Sequence, residues 1–456
     1  MRLGIALAIA AAAGAISLVG PAWLPSAAAL ALALAVFALG LWATAAFPEY
    51  WTALAFFLLA VIFQIAPPTA VFSGFTSSTF WLLFGGLIIG AAIRHTGLDH
   101  RLGDRLAGAA SLSYSRLIAV IIAAGVALGF VMPSSVGRAV LLMPIVTALA
   151  ARLGYAQGAN GRTGLLLAAA FGSHVPTFAI LPSNVPNMIL AGTAETLHGI
   201  RFGYWEYLWL HFPVLGLLKS VLLAALIVRM FPDGDPAPVK DDHFQKEPMT
   251  PQQKWLAALL ALCLLLWLTD KLHGIAPAWI SLAAALVCLW PGFRLTGRET
   301  MNKEVNYASL IFIAGILGLG AVVAHSGLGP LLVEWLAATS GLSPGGGPMH
   351  NATVLAAIST AVAAATTLPG VPAVMTPSAE ALARLTGLPL ATVLMTQVFG
   401  FSNVLLPYQS PPLLVAIQLG ALPAAAVTRL CLALFTATAL VLTPLDLVWW
   451  RVIGWL

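Results

Sequence analysis

The sequence predicts an all-α polytopic membrane protein with about 11 transmembrane helices plus two re-entrant hairpins, arranged as inverted repeats. Three observations predict it. First, 60% of the 456 residues are apolar and only 8% are charged, against about 25% charged in ordinary globular proteins. So few charges cannot coat several soluble cores, whereas a chain embedded in a bilayer needs no such coat. Second, two long apolar regions, 115–198 and 350–420, carry Pro, Gly, Ser, Thr and Asn where lipid-facing helices would carry Leu and Val. Third, the chain repeats itself at an offset near 230 residues.

Helices of about 20 apolar residues can span a bilayer, and such runs fall near 3–20, 26–47, 50–66, 78–95, 206–229, 255–270, 275–292, 306–325 and 424–447. The first run follows Arg2 like a signal peptide, but a second follows at once with no clear cleavage site, so a retained helix is expected. Each interrupted region then supplies one re-entrant hairpin and one broken spanning helix. Non-helical backbone at membrane depth is tolerated only where it is buried in protein or lines a cavity. With the N-terminus inside, fifteen Lys and Arg residues fall on the cytoplasmic side and four outside, with Arg138 and Lys219 in the membrane. That asymmetry follows the positive-inside rule and puts the C-terminus outside. The implied location is a bacterial-type inner membrane.

The chain divides into scaffold helices at 1–77, a first repeat at 78–230, a cytoplasmic linker at 231–254 and a second repeat region at 255–456. The first repeat holds a hairpin at 115–150 and a broken helix at 165–198; the second holds a hairpin at 350–384 and a broken helix at 388–418. Two matches carry the repeat. Gly90-Ala91-Ala92-Ile93-Arg94-His95-Thr96-Gly97-Leu98 recurs as Gly320-Ala321-Val322-Val323-Ala324-His325-Ser326-Gly327-Leu328. Leu181-Pro182-Ser183-Asn184-Val185-Pro186 recurs as Leu406-Pro407-Tyr408-Gln409-Ser410-Pro411. Matched helices that run in opposite directions make an inverted repeat, as in many secondary transporters.

The broken segments are the candidate site. Met132-Pro133-Ser134-Ser135-Val136-Gly137-Arg138 suits a hairpin tip with hydroxyls and free N–H groups facing a cavity, and Thr366-Thr367-Leu368-Pro369 is its counterpart. Helix N-termini meeting near the midplane present partial positive charge to an anion. Unwound carbonyls with Ser or Asn oxygens would instead suit sodium. Arg138 at membrane depth costs about 2.5–3.5 kcal/mol on insertion scales. It is either a fixed cation beside an anion, a stand-in for a coupling ion, or a side chain that snorkels from a shallow hairpin. His174 reads as a hydrogen-bonded packing residue, Lys219 as lining a helix interface, and His95 and His325 as capping or interfacial groups. Trp42, Trp51, Trp205, Trp449 and Trp450 are expected at the membrane interface.

Other classes are disfavoured. The net charge of +5 lies in no basic run, so nucleic acid is not an expected partner. Cys263, Cys288 and Cys431 sit in apolar stretches without metal-ligand spacing. No Walker, zinc-protease or nucleophile-elbow motif occurs, so the chain is not expected to be an enzyme. A cation antiporter would want a carboxylate in the membrane near the breaks, and none is evident; Glu195, Asp270, Glu334 and Glu380 fall near loops or helix ends. An integral-membrane transferase would cluster acidic and basic residues at one membrane face.

At these segments the chain resembles the divalent anion:sodium symporter family of dicarboxylate, citrate and sulfate transporters. Ser134-Ser135-Val136 stands where the family carries a Ser-Asn-Thr tip, and Thr367-Leu368-Pro369 at the second tip. Ser183-Asn184-Val185-Pro186-Asn187 and Ser410-Pro411-Pro412 are similar to its two breaks, and Tyr408-Gln409-Ser410 resembles sulfate-type members. The resemblance implies an elevator-type transporter of small anions, by sodium symport or anion exchange, working as a homodimer. It implies substrate contacts from Ser134, Ser135, Val136, Gly137, Arg138, Asn184, Pro186, Asn187, Thr366, Thr367, Ser410 and Pro411. It implies sodium, the one coupling ion expected, at Ser134, Ser135, Ser183, Thr367 and Gln409. The chain departs from the pattern in lacking both tip asparagines, and Arg138 offers a fixed charge in place of an ion.

Overall fold

The computed structural model describes residues 2–44, 46–98, 101, 112–235, 248–328, 331 and 339–456. Arg105, Lys240, Lys246, Glu334, linker residues 236–247 and the Tyr408 side chain lie outside the described set. The described residues form helices α1 (Arg2–Val19), α2 (Ser26–Thr44), α3 (Glu49–Ile62), α4 (Ser78–Thr96), α5 (Tyr114–Val131), α6 (Ser135–Arg152), α7 (Asn160–Gly172) and α8 (Val185–His198). They continue as α9 (Tyr204–Met230), α10 (Pro251–Leu268), α11 (Pro277–Leu289), α12 (Tyr307–His325), α13 (Pro348–Ala365), α14 (Gly370–Thr386), α15 (Leu390–Phe401), α16 (Pro411–Gly420) and α17 (Ala424–Val452).

Nine described helices are long and apolar enough to cross a membrane, or up to ten if the bent pair α13–α14 is one span. That pair turns through 118° at Thr366–Pro369. In both halves the chain plan is the same: a helix, two helices joined at a short tip, two helices joined through a break, then a long helix. Counting each tip pair as re-entrant and each broken pair as one pass gives the eleven passes expected among the described residues.

Local chemistry sets the boundaries. Ser77 Oγ caps α4 by accepting from Thr79 N at 3.2 Å, and Ser134 Oγ caps α6 by accepting from Gly137 N at 3.1 Å. Both repeated sequence matches fall on equivalent structure. The first ends α4 and α12; the second is a single 3-10 turn followed by a proline-initiated helix, α8 or α16.

Two cores hold the helices. One is built mainly from α2, α3, α4, α10, α11 and α12, with Met188 and Ile189 of α8 and Tyr204 and Leu208 of α9 packed into it. The other is built from the two hairpins, the two broken helices, α9 and α17. The linker begins as a clasp on the second core. Asp235 Oδ1 accepts from Tyr114 N at 2.9 Å, and Asp233 Oδ2 accepts from Gly161 N at 2.6 Å, so the two carboxylates cap α5 and α7. Burial, and then Asp233 and Asp235, push the Tyr155 phenol up to about 12.

Two expectations change. Trp42 and Trp450 are buried inside the protein, whereas Trp51 and Trp205 are exposed. One carboxylate that the sequence reading passed over, Asp446 in the long apolar helix α17, is fully buried inside the protein.

Candidate functional site

A cavity of about 680 Å³ lies where the two cores meet. Its lining includes both tips (Met132 to Gly137; Leu368 and Pro369) and both breaks (His174, Val185 and Pro186; Gln409 to Pro412). The first core contributes α4 through Gly86 and Gly90, and α12 through Ser309 and Phe312. The size suits a small-molecule site. Arg94 at the end of α4 lines it together with Glu49, Glu304 and Asn306, which precede or begin α3 and α12. The C-terminus of α4 thus meets the start of α12, so the two run antiparallel, as the inverted repeat requires.

At the first tip, Pro133 packs against α4 at a glycine. A Cβ on Gly86 would stand 2.0 Å from Pro133 Cγ, so only glycine admits this approach. Val136 faces the cavity and is 39% exposed. The Ser135 and Val136 amides, in the first helical turn, have no intrahelical acceptor by position and carry the positive end of the α6 dipole. Pro186 lines the wall at the start of α8.

Arg138 points away from the cavity and does not line it. It is fully buried, which excludes the snorkelling alternative. Its Nε donates to Ser173 O at 2.7 Å, and one terminal nitrogen donates to Ser183 O at 3.1 Å and to Met132 O. The other donates to Thr177 Oγ1 at 3.0 Å and Asn184 Oδ1 at 3.5 Å. Every acceptor is a neutral oxygen, and together they come from the tip and from the break. Thr177, which the sequence reading passed over, also accepts from Asn184 Nδ2 at 3.0 Å. Ser135 Oγ closes the group with a 2.5 Å hydrogen bond to Asn184 Oδ1.

Other expected contacts lie behind the wall. Asn184 and Ser183 are fully buried in the Arg138 group. Asn187 donates to Phe178 O at 2.9 Å and Ile180 O at 2.8 Å, folding the break on itself instead of facing the cavity. Thr366 Oγ1 is turned to Val362 O at 2.7 Å, and neither it nor Thr367 lines the cavity.

The second tip is held by Gln409. Its Oε1 accepts from Leu405 N and Leu406 N, both at 2.8 Å, its Nε2 donates to Ala363 O at 2.6 Å, and its carbonyl accepts from Leu368 N at 3.4 Å. The side-chain oxygen expected to hold sodium is therefore committed to backbone. Ser410 lines the cavity and meets His174 Nε2 at 2.6 Å, which joins the two breaks directly. His174, read from sequence as packing, is thus both a wall residue and a bridge. Pro411 and Pro412 line the wall without an N–H to offer.

At the other end of α4 the two cores are tied together. Ser78 Oγ donates to Glu195 Oε2, Ser78 N donates to the same oxygen at 3.3 Å, and Arg201 Nε pairs with Glu195 Oε1 at 2.8 Å. The Arg94 end of α4 therefore lines the cavity, while its Ser78 end carries this tie.

Paired tips and paired breaks around one cavity between two cores define a polytopic membrane protein of secondary-transporter architecture. A profile of the citrate transporter family matches residues 39–400, and the chain belongs to that family. Members of this family are transporters and not enzymes. The chain is similar to a Cupriavidus necator protein described as a membrane protein, at 27% identity over 60% of this chain and 55% of that one. It is similar to the Escherichia coli inner membrane protein YbhI, at 25% identity over 59% and 57% of the two chains. It is also similar to the sodium-dependent dicarboxylate transporter SdcS of Staphylococcus aureus, at 22% identity over 66% and 64%. The matched stretch spans just over half the length of the first two relatives. In fold it is similar to the YdaH transporter of Alcanivorax borkumensis, with a TM-score of 0.56 and 17% identity over 87% of this chain and 89% of that one.

Proposed function

We propose that the protein is a secondary active transporter of small anions, dicarboxylates first, in which the Arg138 guanidinium replaces a sodium ion at the first tip. The observation that carries this reading is the oxygen cage around Arg138: three backbone carbonyls and two side-chain oxygens, from tip and break together. Neutral oxygens from unwound helix are what a bound sodium ion would recruit in such a fold. Here the cation is tethered, so the first tip keeps its charge without a dissociable ion. Similarity to a sodium-dependent dicarboxylate transporter and membership of the citrate transporter family support the anion class.

One carboxylate of the substrate sits at the α6 N-terminus, against the Ser135 and Val136 amides and near the Ser134 hydroxyl, with Pro186 beside it. Ser410 and His174 supply the polar contacts opposite, while Leu368, Pro369 and Pro411 form an apolar side. The hairpin-bearing core slides against the other core as an elevator, and the scaffold core pairs with a second copy. The protein spans the inner membrane with its N-terminus cytoplasmic and C-terminus external. On that topology the cavity faces the cytoplasm and the Ser78–Glu195 tie closes the outer side.

The test is counterflow in proteoliposomes. Vesicles loaded with succinate take up labelled succinate or citrate at the same rate in sodium and in potassium medium. A requirement for sodium would overturn the tethered-cation reading. Preference for sulfate would replace the carboxylate assignment, and no counterflow of any of the three anions would overturn the anion class.

A further inference from the structure

Among the described residues that line the cavity, Arg94 on α4 is the one arginine or lysine. Its side chain is exposed and makes no hydrogen bond or ion pair with another described residue. Helical side chains lean toward the N-terminus of their own helix, and Arg94 leans back over Gly90. Its Nη1 lies 3.8 Å from where a Cβ on Gly90 would stand, and glycine keeps that face of α4 clear. Gly90 and Gly86 both line the cavity, and Gly86 is the seat of Pro133 at the first tip. Four residues separate the two glycines, about 6 Å along the helix axis. An unpaired guanidinium and the start of α6 therefore face one cavity about one helical turn apart.

Two carboxylates, Glu49 and Glu304, line the same cavity, and each has a local partner. Glu304 Oε1 accepts from Thr300 Oγ1 at 3.1 Å. Glu49 stands in the first turn of α3, where the positive end of the helix dipole favours a carboxylate. Arg94 stands in the last turn of α4, where the dipole favours a cation, so a purely structural role has to be weighed. The internal repeat weighs it. The matched helix α12 carries Ala324 at the equivalent position and ends there with no lysine or arginine. The same helix end forms without the cation, which leaves the charge of Arg94 to be explained by what it faces.

We propose that Arg94 binds the second carboxylate of a two-ended anion whose first carboxylate sits at the start of α6. This rests on the anion-transport reading above and names what selects the anion. A guanidinium meets a carboxylate through two parallel N–H donors, which fixes direction as well as charge. Leu87, between the two glycines of α4, and Val140, one turn into α6, line the wall along this stretch and suit a short apolar spacer. α4 belongs to one core and α6 to the other. A dicarboxylate of matching length therefore engages both cores at once, while a monocarboxylate engages one. Sulfate carries two charges but is too compact to reach both ends.

Calorimetric titration of the detergent-purified full chain in sodium chloride buffer, with succinate, butyrate and sulfate in turn, tests it. The wild type binds succinate more tightly than butyrate. Arg94→Ala weakens succinate binding by roughly tenfold to a hundredfold, the loss expected for a hydrogen-bonded charge pair. Butyrate and sulfate binding stay as in the wild type, so the preference for succinate collapses. Arg94→Lys keeps the charge without the fork and recovers part of that preference. An unchanged ratio of succinate to butyrate affinity in Arg94→Ala would overturn the proposal and leave the anion reading standing. Equal weakening of all three anions would also overturn it, because Arg94 would then act as a distant field and not as a ligand. Binding of none of the three by the wild type would overturn both readings together. Should Arg94→Ala fail to fold, Arg94→Gln carries the same comparison with the same outcomes.

Discussion

In the first half a guanidinium ties the hairpin tip to the helix break; in the second half an amide does the same work. Arg138 gathers carbonyls and side-chain oxygens from Met132, Ser173, Thr177, Ser183 and Asn184, whereas Gln409 joins Ala363, Leu368, Leu405 and Leu406. The cavity faces differ to match. The first half presents Ser134, Ser135 and a helix start with free amides, while the second presents Leu368, Pro369, Pro411 and Pro412, of which the prolines have no N–H. The same chain plan thus supports a polar, positively biased wall on one side and a largely apolar wall on the other. A repeat fixes the positions of the tips and breaks; it does not fix their charge.

The sharpest way to break this comparison is to remove the two ties. Arg138→Ala takes a shared donor away from five neutral oxygens in a closed interior and is expected to cost about 1–3 kcal/mol for each acceptor left without a partner and abolish counterflow, read by thermal denaturation in detergent and by labelled succinate exchange. Gln409→Ala removes neutral hydrogen bonds only, and about 1–3 kcal/mol is expected. Equal losses from the two would mean that the charge at the first tie adds nothing. Gly86→Ala pushes a methyl group into Pro133, so a loss of about 1–3 kcal/mol with reduced exchange is expected, and unchanged exchange would show that the first tip does not need its seat on α4. Weaker again is Glu195→Gln, which loosens the Ser78 tie; faster labelling of a cysteine placed at Ala191, beside that tie, by an impermeant reagent would show that end opening more often. The smallest effect belongs to Asp235→Ala, about 0.5–1 kcal/mol for a helix cap, with exchange unchanged.

Much of this could be read in advance. Proline, serine and asparagine inside apolar runs located both tips and both breaks, because backbone freed from helix at membrane depth must be paired inside the protein. The repeated Gly90–Leu98 and Gly320–Leu328 segments anchored the inverted plan, and both terminate matched helices. Within the site the reading was coarser. Side-chain direction at a break depends on the turn the backbone takes, so Asn187 and Thr366 turned out to be bonded within their own segments. Thr177 gives no signal of its own in an apolar stretch, and His174 signals only a hydrogen-bonded packing residue. The pair of His211 and Asp446 was hidden for another reason: two long helices far apart in sequence bring it together, and π turns set which way its side chains face.

The sequence by itself determined the solvent, the number and length of the helices, the places where they break and the doubling of the plan. These follow from hydropathy, from backbone pairing in lipid and from the conformational limits of proline and glycine, which act locally along the chain. Only the tertiary structure decided which polar groups face the cavity, that Arg138 turns inward to five oxygens, and that Asp446 meets His211 inside the protein. Those outcomes depend on which distant oxygens lie within hydrogen-bond reach once the helices have packed, and one sequence does not encode that distance position by position.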